Sequence, residues 1–394
     1  MRIKQLDALR AIACLMVIGY HSKWVPVWST FGWSGVDLFF VLSGFLISGL
    51  LFREYQNTGS IRIGRFLVRR GLKIYPAYYL FLFLVFLYVR EHRLYFPDMW
   101  QWVVFTQNFL GALGTGGYNQ GVCFVGHLWS IAVEEHFYVL LPLGLWVLVV
   151  RRKSLDQVPR WCGIVMVASI ALRIGTTASG PHIFQSQFRF DGLAFGVLLS
   201  YFWHFNQKVI DRVTGYGKGW PLLVVSLLLI TPSLGTYNDR MFRVGLTSLY
   251  IGYGGLLIYF LKYVDGTNAL IVSLARIGAH SYTIYLVHMP VLVFLSSRLT
   301  MAPTMWRMWM VFMLYTTVTI AIGVLFSKLV EKPVLRIRDR ILPARDQNTT
   351  NIGGNTMVLE GKTSWAAIAD QWRGYGELAG GLTASPARKR PARA

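Results

Sequence analysis

Ten apolar segments, separated by short basic or aromatic stretches, divide this sequence and leave little of it for a soluble fold. Hydrophobic residues make up 54% of the 394 residues and charged residues only 14%, which is too apolar for a soluble globular protein of this size. Backbone groups in lipid must be satisfied within the segment, so such segments are expected to be helices. The sequence therefore predicts an all-α polytopic membrane protein with about ten transmembrane helices, near residues 6–24, 33–52, 74–89, 128–150, 161–178, 191–205, 219–234, 243–263, 279–297 and 308–329.

The distribution of Lys and Arg predicts the orientation of these helices. With the N-terminus inside, the inner loops hold fifteen Lys and Arg and the outer loops seven. This bias favours cytoplasmic positions for both termini and a place in the cytoplasmic (inner) membrane. The net charge of +21 lies beside the apolar segments and in the tail, so we expect membrane lipids as partners and no nucleic acid.

Composition divides the chain into two parts. Residues 1–343 form the predicted transmembrane domain, and residues 344–394 form a basic, polar tail that we expect to be disordered. Within the longest outer loop, residues 99–109 are predicted to form an interfacial half-helix, and the glycine-rich residues 111–117 are predicted to be a flexible lid or connector.

Two ionisable residues share one face of the first segment. Arg10 and His21 are eleven residues apart, about 20° past three helical turns and roughly 16 Å along the axis. Ionisable side chains are costly inside a membrane and mark functional sites there. Both residues are therefore candidates for the chemistry of the protein.

The predicted orientation sorts the other embedded polar residues into two layers. The outer layer contains His21, Asp37, Trp129, Glu134, Glu135, Arg173, Arg189 and Asp191, with His288 somewhat deeper. The inner layer contains Arg10, with Asp7 one turn below it, and a basic run with Arg65, Arg69, Arg70, Lys73 and Tyr75. Arg and Lys concentrated before a helix suit a phosphate-bearing cofactor.

Each feature also has a purely structural explanation. Arg10 and Asp7 can form a simple interfacial ion pair, and the basic run can be a topology signal alone. Glu134 and Glu135 are harder to explain, because adjacent side chains on a helix point about 100° apart and one must face protein or water. The three cysteines have no disulfide or metal spacing, so no metal site is predicted.

Six motifs follow one another along the chain: LDALR at residues 6–10 with His21, GVDLFFVLSGF at 35–45, RRGLKIYP at 69–76, WSIAVEEHFY at 129–138, RFDG at 189–192 and SYTIYLVHMP at 281–290. In this order they resemble the motifs of the integral-membrane acyltransferase-three family. The resemblance runs from residue 6 to about Pro333. Six motifs in one order make a chance match improbable.

The resemblance implies a membrane O-acyltransferase for bacterial surface glycans and some secondary metabolites. The donor would be acetyl-CoA in the cytoplasm, and the acceptor a hydroxyl of a surface polysaccharide, a lipid-linked sugar or another glycosylated molecule. Family roles carry to Arg10 and His21, to the acidic pair on the fourth helix and to Arg70. Lys73 stands where the family often has a second Arg, and Lys loses bidentate phosphate binding. The tail is shorter than the esterase-like domain that the family often adds, so the membrane domain is expected to act alone or with a partner.

Acyl transfer from a thioester to an alcohol needs a base and a donor for the oxyanion. We predict His21 as the base, oriented by Glu134 or Glu135, or as the carrier of an acyl group, with Arg10 holding the donor. Further residues are predicted to bind the donor: Arg69, Arg70, Lys73 and Tyr75. Others are predicted to contact the acceptor or support the site: Asp37, Trp129, Arg189, Asp191 and His288. The alternatives are a transporter or flippase of a glycan or lipid intermediate, and a non-catalytic membrane partner of a polysaccharide complex.

Overall fold

The structure, a computed structural model, describes residues 3–22, 25–94, 99–109, 122–176, 181–215, 219–233, 240–298 and 304–343. Over these ranges the chain forms fifteen α-helices, joined by short 3-10 and π segments, and no strand. The all-α prediction is thus confirmed for this part of the chain. The helices are α1 (Lys4–Ser22), α2 (Pro26–Phe31), α3 (Gly35–Thr58), α4 (Ile63–Glu91), α5 (Met99–Val103), α6 (Trp129–Arg152), α7 (Val158–Ile174), α8 (Phe190–Phe205), α9 (Gln207–Thr214), α10 (Gly219–Ser233), α11 (Leu246–Tyr263), α12 (Ala269–Gly278), α13 (Ser281–Arg298), α14 (Met305–Phe326) and α15 (Lys332–Ile341).

Each predicted apolar segment coincides with one of these helices, but fewer than ten could cross a membrane by themselves. Five spans in the described chain are long and apolar enough, and α12 with α13 forms a sixth if the pair, bent by 68°, is one span. Helices α7, α8 and α10 have 17, 16 and 15 residues, which at 1.5 Å per residue falls short of a hydrocarbon core of about 30 Å. The chain is therefore a multi-pass helical protein, and ten spans with cytoplasmic termini stay a prediction.

Helix α3 lies at the centre of the bundle and packs against α1, α6, α8 and α11. Its crossing with α8 is close because both helices use glycine there. A Cβ atom on Gly44 would lie 2.0 Å from the Leu193 carbonyl oxygen, and one on Gly196 would lie 2.3 Å from that of Val41. Small residues permit such approaches between membrane helices. Asp37 of α3 is buried in this bundle, and Ser43 of the same helix is half-buried.

A second close contact joins the first helix to the bent pair. A Cβ atom on Gly278, at the end of α12, would lie 1.7 Å from the Asp7 carbonyl oxygen of α1. The Cys14 thiol then lies 3.8 Å from the Ser281 carbonyl oxygen at the start of α13. Because α1 and α13 pack together from this point, the far end of α1 lies beside the middle of α13.

The predicted half-helix at residues 99–109 is broken in two. Helix α5 ends at Val103, and a separate 3-10 turn follows at Gln107–Phe109. The hydroxyl groups of Tyr78 and Tyr79 on α4 donate to the carbonyl groups of Trp102 and Val103, at 2.9 and 3.0 Å. The segment is therefore pinned to α4. The predicted lid at 111–117 and the predicted tail at 344–394 lie outside the described residues.

Candidate active site

Three histidines from separate parts of the chain lie together. The ring centroid of His288, on α13, is 5.2 Å from that of His21, at the end of α1. It is 4.5 Å from that of His127, which precedes α6. His127 and His288 are buried, and His21 is half-buried. The residue predicted as the base and one predicted to support it are thus neighbours.

The hydrogen bond of the His288 ring determines which of its two nitrogens can accept a further hydrogen bond. Its Nδ1 lies 2.6 Å from the Tyr285 carbonyl oxygen, which can only accept, so we assign the proton of the neutral ring to Nδ1. Its Nε2 is buried and has no hydrogen-bond partner among the described residues. Buried polar atoms without a partner are rare, and each calls for an explanation, of which a catalytic role is one. His288 therefore presents a free acceptor in the histidine cluster.

Tyr285 joins the histidine cluster to helix α6. Its ring centroid lies 5.2 Å from that of His127 and 5.3 Å from that of His288. Its hydroxyl donates to the His127 carbonyl oxygen at 2.7 Å and lies 2.7 Å from the hydroxyl of Ser130. Ser130 is four residues before Glu134, so both lie on the same face of α6. A line of polar side chains therefore continues along α6 to the acidic pair.

The two predicted carboxylates face different helices. Glu134 accepts hydrogen bonds from the hydroxyl groups of Ser43 on α3 and Tyr138 on α6, both at 2.6 Å. Glu135 accepts one from the Tyr75 hydroxyl of α4 at 3.1 Å through Oε2. Its other oxygen, Oε1, is buried without a hydrogen-bond partner in the described structure. Both acids thus face protein, which keeps their charges away from lipid.

Arg70 is the cation of this acidic site. It donates to the Tyr138 hydroxyl at 2.5 Å, and its guanidinium lies 4.1 Å from the centroid of the Tyr138 ring. Both Glu134 and Glu135 act on it electrostatically. Two predicted layers therefore meet here, because a residue predicted to bind the donor is linked to the predicted catalytic acid Glu134 through the Tyr138 hydroxyl. The described hydrogen bonds of the acids lead to Arg70, and pairing of either acid with His21 stays a prediction.

The predicted donor-binding residues of α4 do not all face the same part of the protein. Arg70 and Tyr75 face the acidic pair, whereas Arg69 donates to the Asp339 carboxylate of α15 at 3.1 Å. Lys73 is half-buried on the same helix. Adjacent residues on a helix point about 100° apart, which separates Arg69 from Arg70.

Four charged residues that the sequence placed in the predicted outer layer form buried ion pairs. Arg173 of α7 donates to both carboxylate oxygens of Asp191, at 3.0 and 2.6 Å. Arg189 donates to Asp37 at 2.5 Å and lies 5.3 Å from the ring centroid of Trp129. Paired charges are the form in which buried arginines and aspartates are tolerated. These residues tie α3, α7 and α8 to the start of α6 and so position the acidic pair.

Arg10 lies on the same unbroken helix as His21, as predicted. It is half-buried, and its charge acts on Cys14 one turn further along α1. The Cys14 thiol, on α1, contacts the Ser281 carbonyl oxygen at the start of α13. Arg10 thus lies on the side of the bundle where α12 and α13 break.

Five polar residues of this arrangement were not predicted as site residues from the sequence. They are Ser43, His127, Ser130, Tyr138 and Tyr285. Tyr138 lies one helical turn beyond Glu134, and that spacing could have identified it. In the described part of the chain, no three His, Cys, Asp or Glu side chains are placed to hold a metal ion.

Comparison with known proteins identifies the kind of domain that this arrangement belongs to. Residues 3–328 match the family model of an acyltransferase domain. The peptidoglycan O-acetyltransferase OatA of Listeria monocytogenes is 26% identical over 364 residues, which cover 84% of this chain and 56% of that protein. The O-acetyltransferase OatA of Staphylococcus aureus is 28% identical over 325 residues, covering 74% and 51%.

The chain thus spans about half the length of the curated relatives it matches. No solved structure matches it. Because the family match covers most of the sequence and includes all six motifs described above, the chain belongs to the acyltransferase-three family.

Proposed function

We propose that the protein is a membrane O-acetyltransferase. It transfers an acetyl group from acetyl-CoA in the cytoplasm to a hydroxyl of a surface polysaccharide, a lipid-linked sugar or another glycosylated acceptor. The observation that carries the proposal is the buried Nε2 of His288, which has no hydrogen-bond partner in the described structure and lies beside His21. Family membership and the O-acetyltransferase names of the relatives support the acetyl group.

His21 acts as the general base in this proposal. The acceptor oxygen attacks the thioester carbonyl carbon while His21 takes the hydroxyl proton. The carbon–sulfur bond then breaks, and the CoA thiolate leaves with the proton that His21 returns. A general base of this kind contributes about 10²- to 10⁴-fold to the rate.

His288 positions His21 for that role. Its proton is held on Nδ1 by the Tyr285 carbonyl, so Nε2 can accept a hydrogen bond from the His21 ring. That bond would leave the other nitrogen of His21 unprotonated and directed at the acceptor. In catalytic triads a carboxylate holds the histidine in the same way. His288 thus takes the orienting role that the sequence suggested for Glu134 or Glu135.

The acidic site holds the donor in place. Arg70, with Tyr75 and the acidic pair around it, offers a half-buried cation to the carbonyl or amide groups of the donor arm. Arg10 supports the donor from α1. The polar side chains from Arg70 through Ser130 to Tyr285 then line the route along which the thioester reaches His21.

Three histidine variants test the proposal. His21→Gln and His288→Gln are compared with His92→Gln, a matched control in which the exposed ring at the end of α4 contacts Tyr88. Membrane vesicles receive labelled acetyl-CoA, and the label in alkali-labile esters is measured per amount of protein. We expect a loss of at least about 10²-fold for His21→Gln, about tenfold for His288→Gln and no change for the control.

Full activity in His21→Gln would show that His21 is not the base. Accumulation of unmodified substrate on the inner side, with no ester formed by the wild type, would instead support a transporter or flippase.

A further inference from the structure

Helix α15 places a second basic surface against the basic run of α4. None of its ten residues is buried, and it carries Lys332, Arg336, Arg338 and Arg340 against a single acid, Asp339. The end of α15 is held by α4: Arg65 donates to the Pro343 carbonyl oxygen and Arg69 to that of Leu342. The basic helix α15 is thus held against the basic run of α4, although their like charges repel each other.

One carboxylate oxygen lies between the arginines of the two helices. Oδ1 of Asp339 accepts from Nη2 of Arg69 at 3.1 Å, and from Nε and Nη2 of Arg338 at 2.9 and 2.8 Å. Arg65 and Arg338 both act on Arg69 as like charges. We call Arg65, Arg69 and Arg338 the α4–α15 arginine cluster.

This cluster is positively charged, since it holds three guanidiniums and the Asp339 carboxylate contacts two of them, those of Arg69 and Arg338. Glu54 of α3 is a further acid that acts on Arg65. The side chains of Arg69 and Arg338 are only 22% and 16% exposed, whereas that of Asp339 is 51% exposed. The guanidiniums are therefore held in place, and the carboxylate between them is open to replacement by a stronger anion.

We propose that the α4–α15 arginine cluster binds a phosphate group of the acyl donor and that Asp339 competes with that phosphate for Arg69 and Arg338. A guanidinium group binds two phosphate oxygens at once, and a phosphate carries more negative charge than a carboxylate. A phosphate therefore suits two arginines better than the single Asp339 carboxylate does. The inference rests on the proposed function, because it takes the donor to be a nucleotide-linked thioester. It assigns Arg69 to the phosphate end of the donor and Arg70, on the next face of α4, to the thioester arm.

The proposal predicts opposite effects for neighbouring residues of α15. Arg338→Gln removes a phosphate ligand and is expected to weaken CoA binding about tenfold. Asp339→Asn removes the competing charge and is expected to strengthen CoA binding about threefold to tenfold. Arg340→Gln removes one exposed charge from the same helix and is expected to leave the affinity within about twofold.

The test measures CoA binding to the full-length protein in phosphatidylcholine nanodiscs by titration calorimetry. The same variants are titrated with pantetheine, which has no phosphate and should bind wild type and Arg338→Gln equally. Equal weakening by Arg338→Gln and Arg340→Gln, or weaker binding by Asp339→Asn, would overturn the proposal. So would a CoA affinity that the Arg338 variant leaves unchanged.

A lipid headgroup is the other source of phosphate, and a second series distinguishes it. If the cluster binds lipid, Arg338→Gln will abolish a stimulation of acetyl transfer by phosphatidylglycerol while CoA affinity stays unchanged, which overturns the donor assignment. If wild type binds no CoA and transfers no acetyl group, the proposed function fails as a whole. If wild type binds CoA and transfers acetyl but Arg338→Gln binds CoA normally, only this inference fails.

Discussion

Removing the hydroxyl of Tyr138 should separate the cation of the site from its acids. That hydroxyl accepts a hydrogen bond from Arg70 at 2.5 Å and donates one to Glu134 at 2.6 Å. Phenylalanine keeps the ring and its contact with the guanidinium, so Tyr138→Phe changes the hydrogen bonds and little else. The variant leaves the half-buried Arg70 guanidinium and the half-buried Glu134 carboxylate each without one partner.

The size of the effect follows from those two bonds. A hydrogen bond to a charged group contributes about 1.5–3 kcal/mol, so the two together contribute at least about 3 kcal/mol. If Arg70 must be held in place for the donor to react, this loss appears in the transition state. It corresponds to about a hundredfold decrease in kcat/KM for acetyl-CoA.

Tyr282→Phe is the matched control for Tyr138→Phe. Its hydroxyl donates to the Ile74 carbonyl oxygen at 2.8 Å, a neutral acceptor on α4. That bond contributes only about 1 kcal/mol, because neither of its two partners is charged. Initial rates of transfer from labelled acetyl-CoA, at several donor concentrations and equal amounts of folded protein, give kcat/KM for both variants. Equal values for the two would show that the link from Arg70 to Glu134 has no role in the reaction.

Two further predictions concern the frame of the site. Arg173→Met should lower the free energy of unfolding by about 3–5 kcal/mol, because it leaves Asp191 as a buried unpaired carboxylate, and adding Asp191→Leu should restore much of it. Thermal unfolding in detergent measures both, and identical melting of the single and double variants would contradict the assignment. Gly278→Ala should prevent accumulation of folded protein, since its Cβ would lie 1.7 Å from the Asp7 carbonyl oxygen, whereas Gly144→Ala meets nothing within 4 Å. Equal amounts of both in membranes, measured by immunoblot, would show that α1 and α12 can separate at no cost.

The apolar segments predicted where the helices are, but their lengths did not determine how many of these helices cross the membrane. Every predicted segment became a helix because an apolar run has no other way to satisfy its backbone in lipid. Whether α7, α8 and α10 cross the membrane depends on tilt and on the packing of their neighbours, which a single sequence does not encode locally.

The site was predictable in its residues and less so in its contacts. Charge and depth identified Glu134 and Arg70, but their common partner Tyr138 is neutral, and a search for embedded charges passes over it. His127 was missed for a similar reason, since a lone histidine at a helix start carries no signal until the fold brings His288 to it. Asp37 and Arg189 were expected at one depth, and only the packing of α3 against the start of α8 makes them a pair.

The central claim, that this protein transfers an acetyl group to a glycan, is tested most directly by mass spectrometry of its products. Surface glycans and extracted glycolipids are compared between cells with the gene, cells without it and cells carrying His21→Gln, all grown with isotopically labelled acetate. We expect a labelled acetyl ester that is present only with the wild-type gene. An ester that persists without the gene, or an unmodified intermediate that accumulates on the inner side with no change in any ester, would contradict the claim.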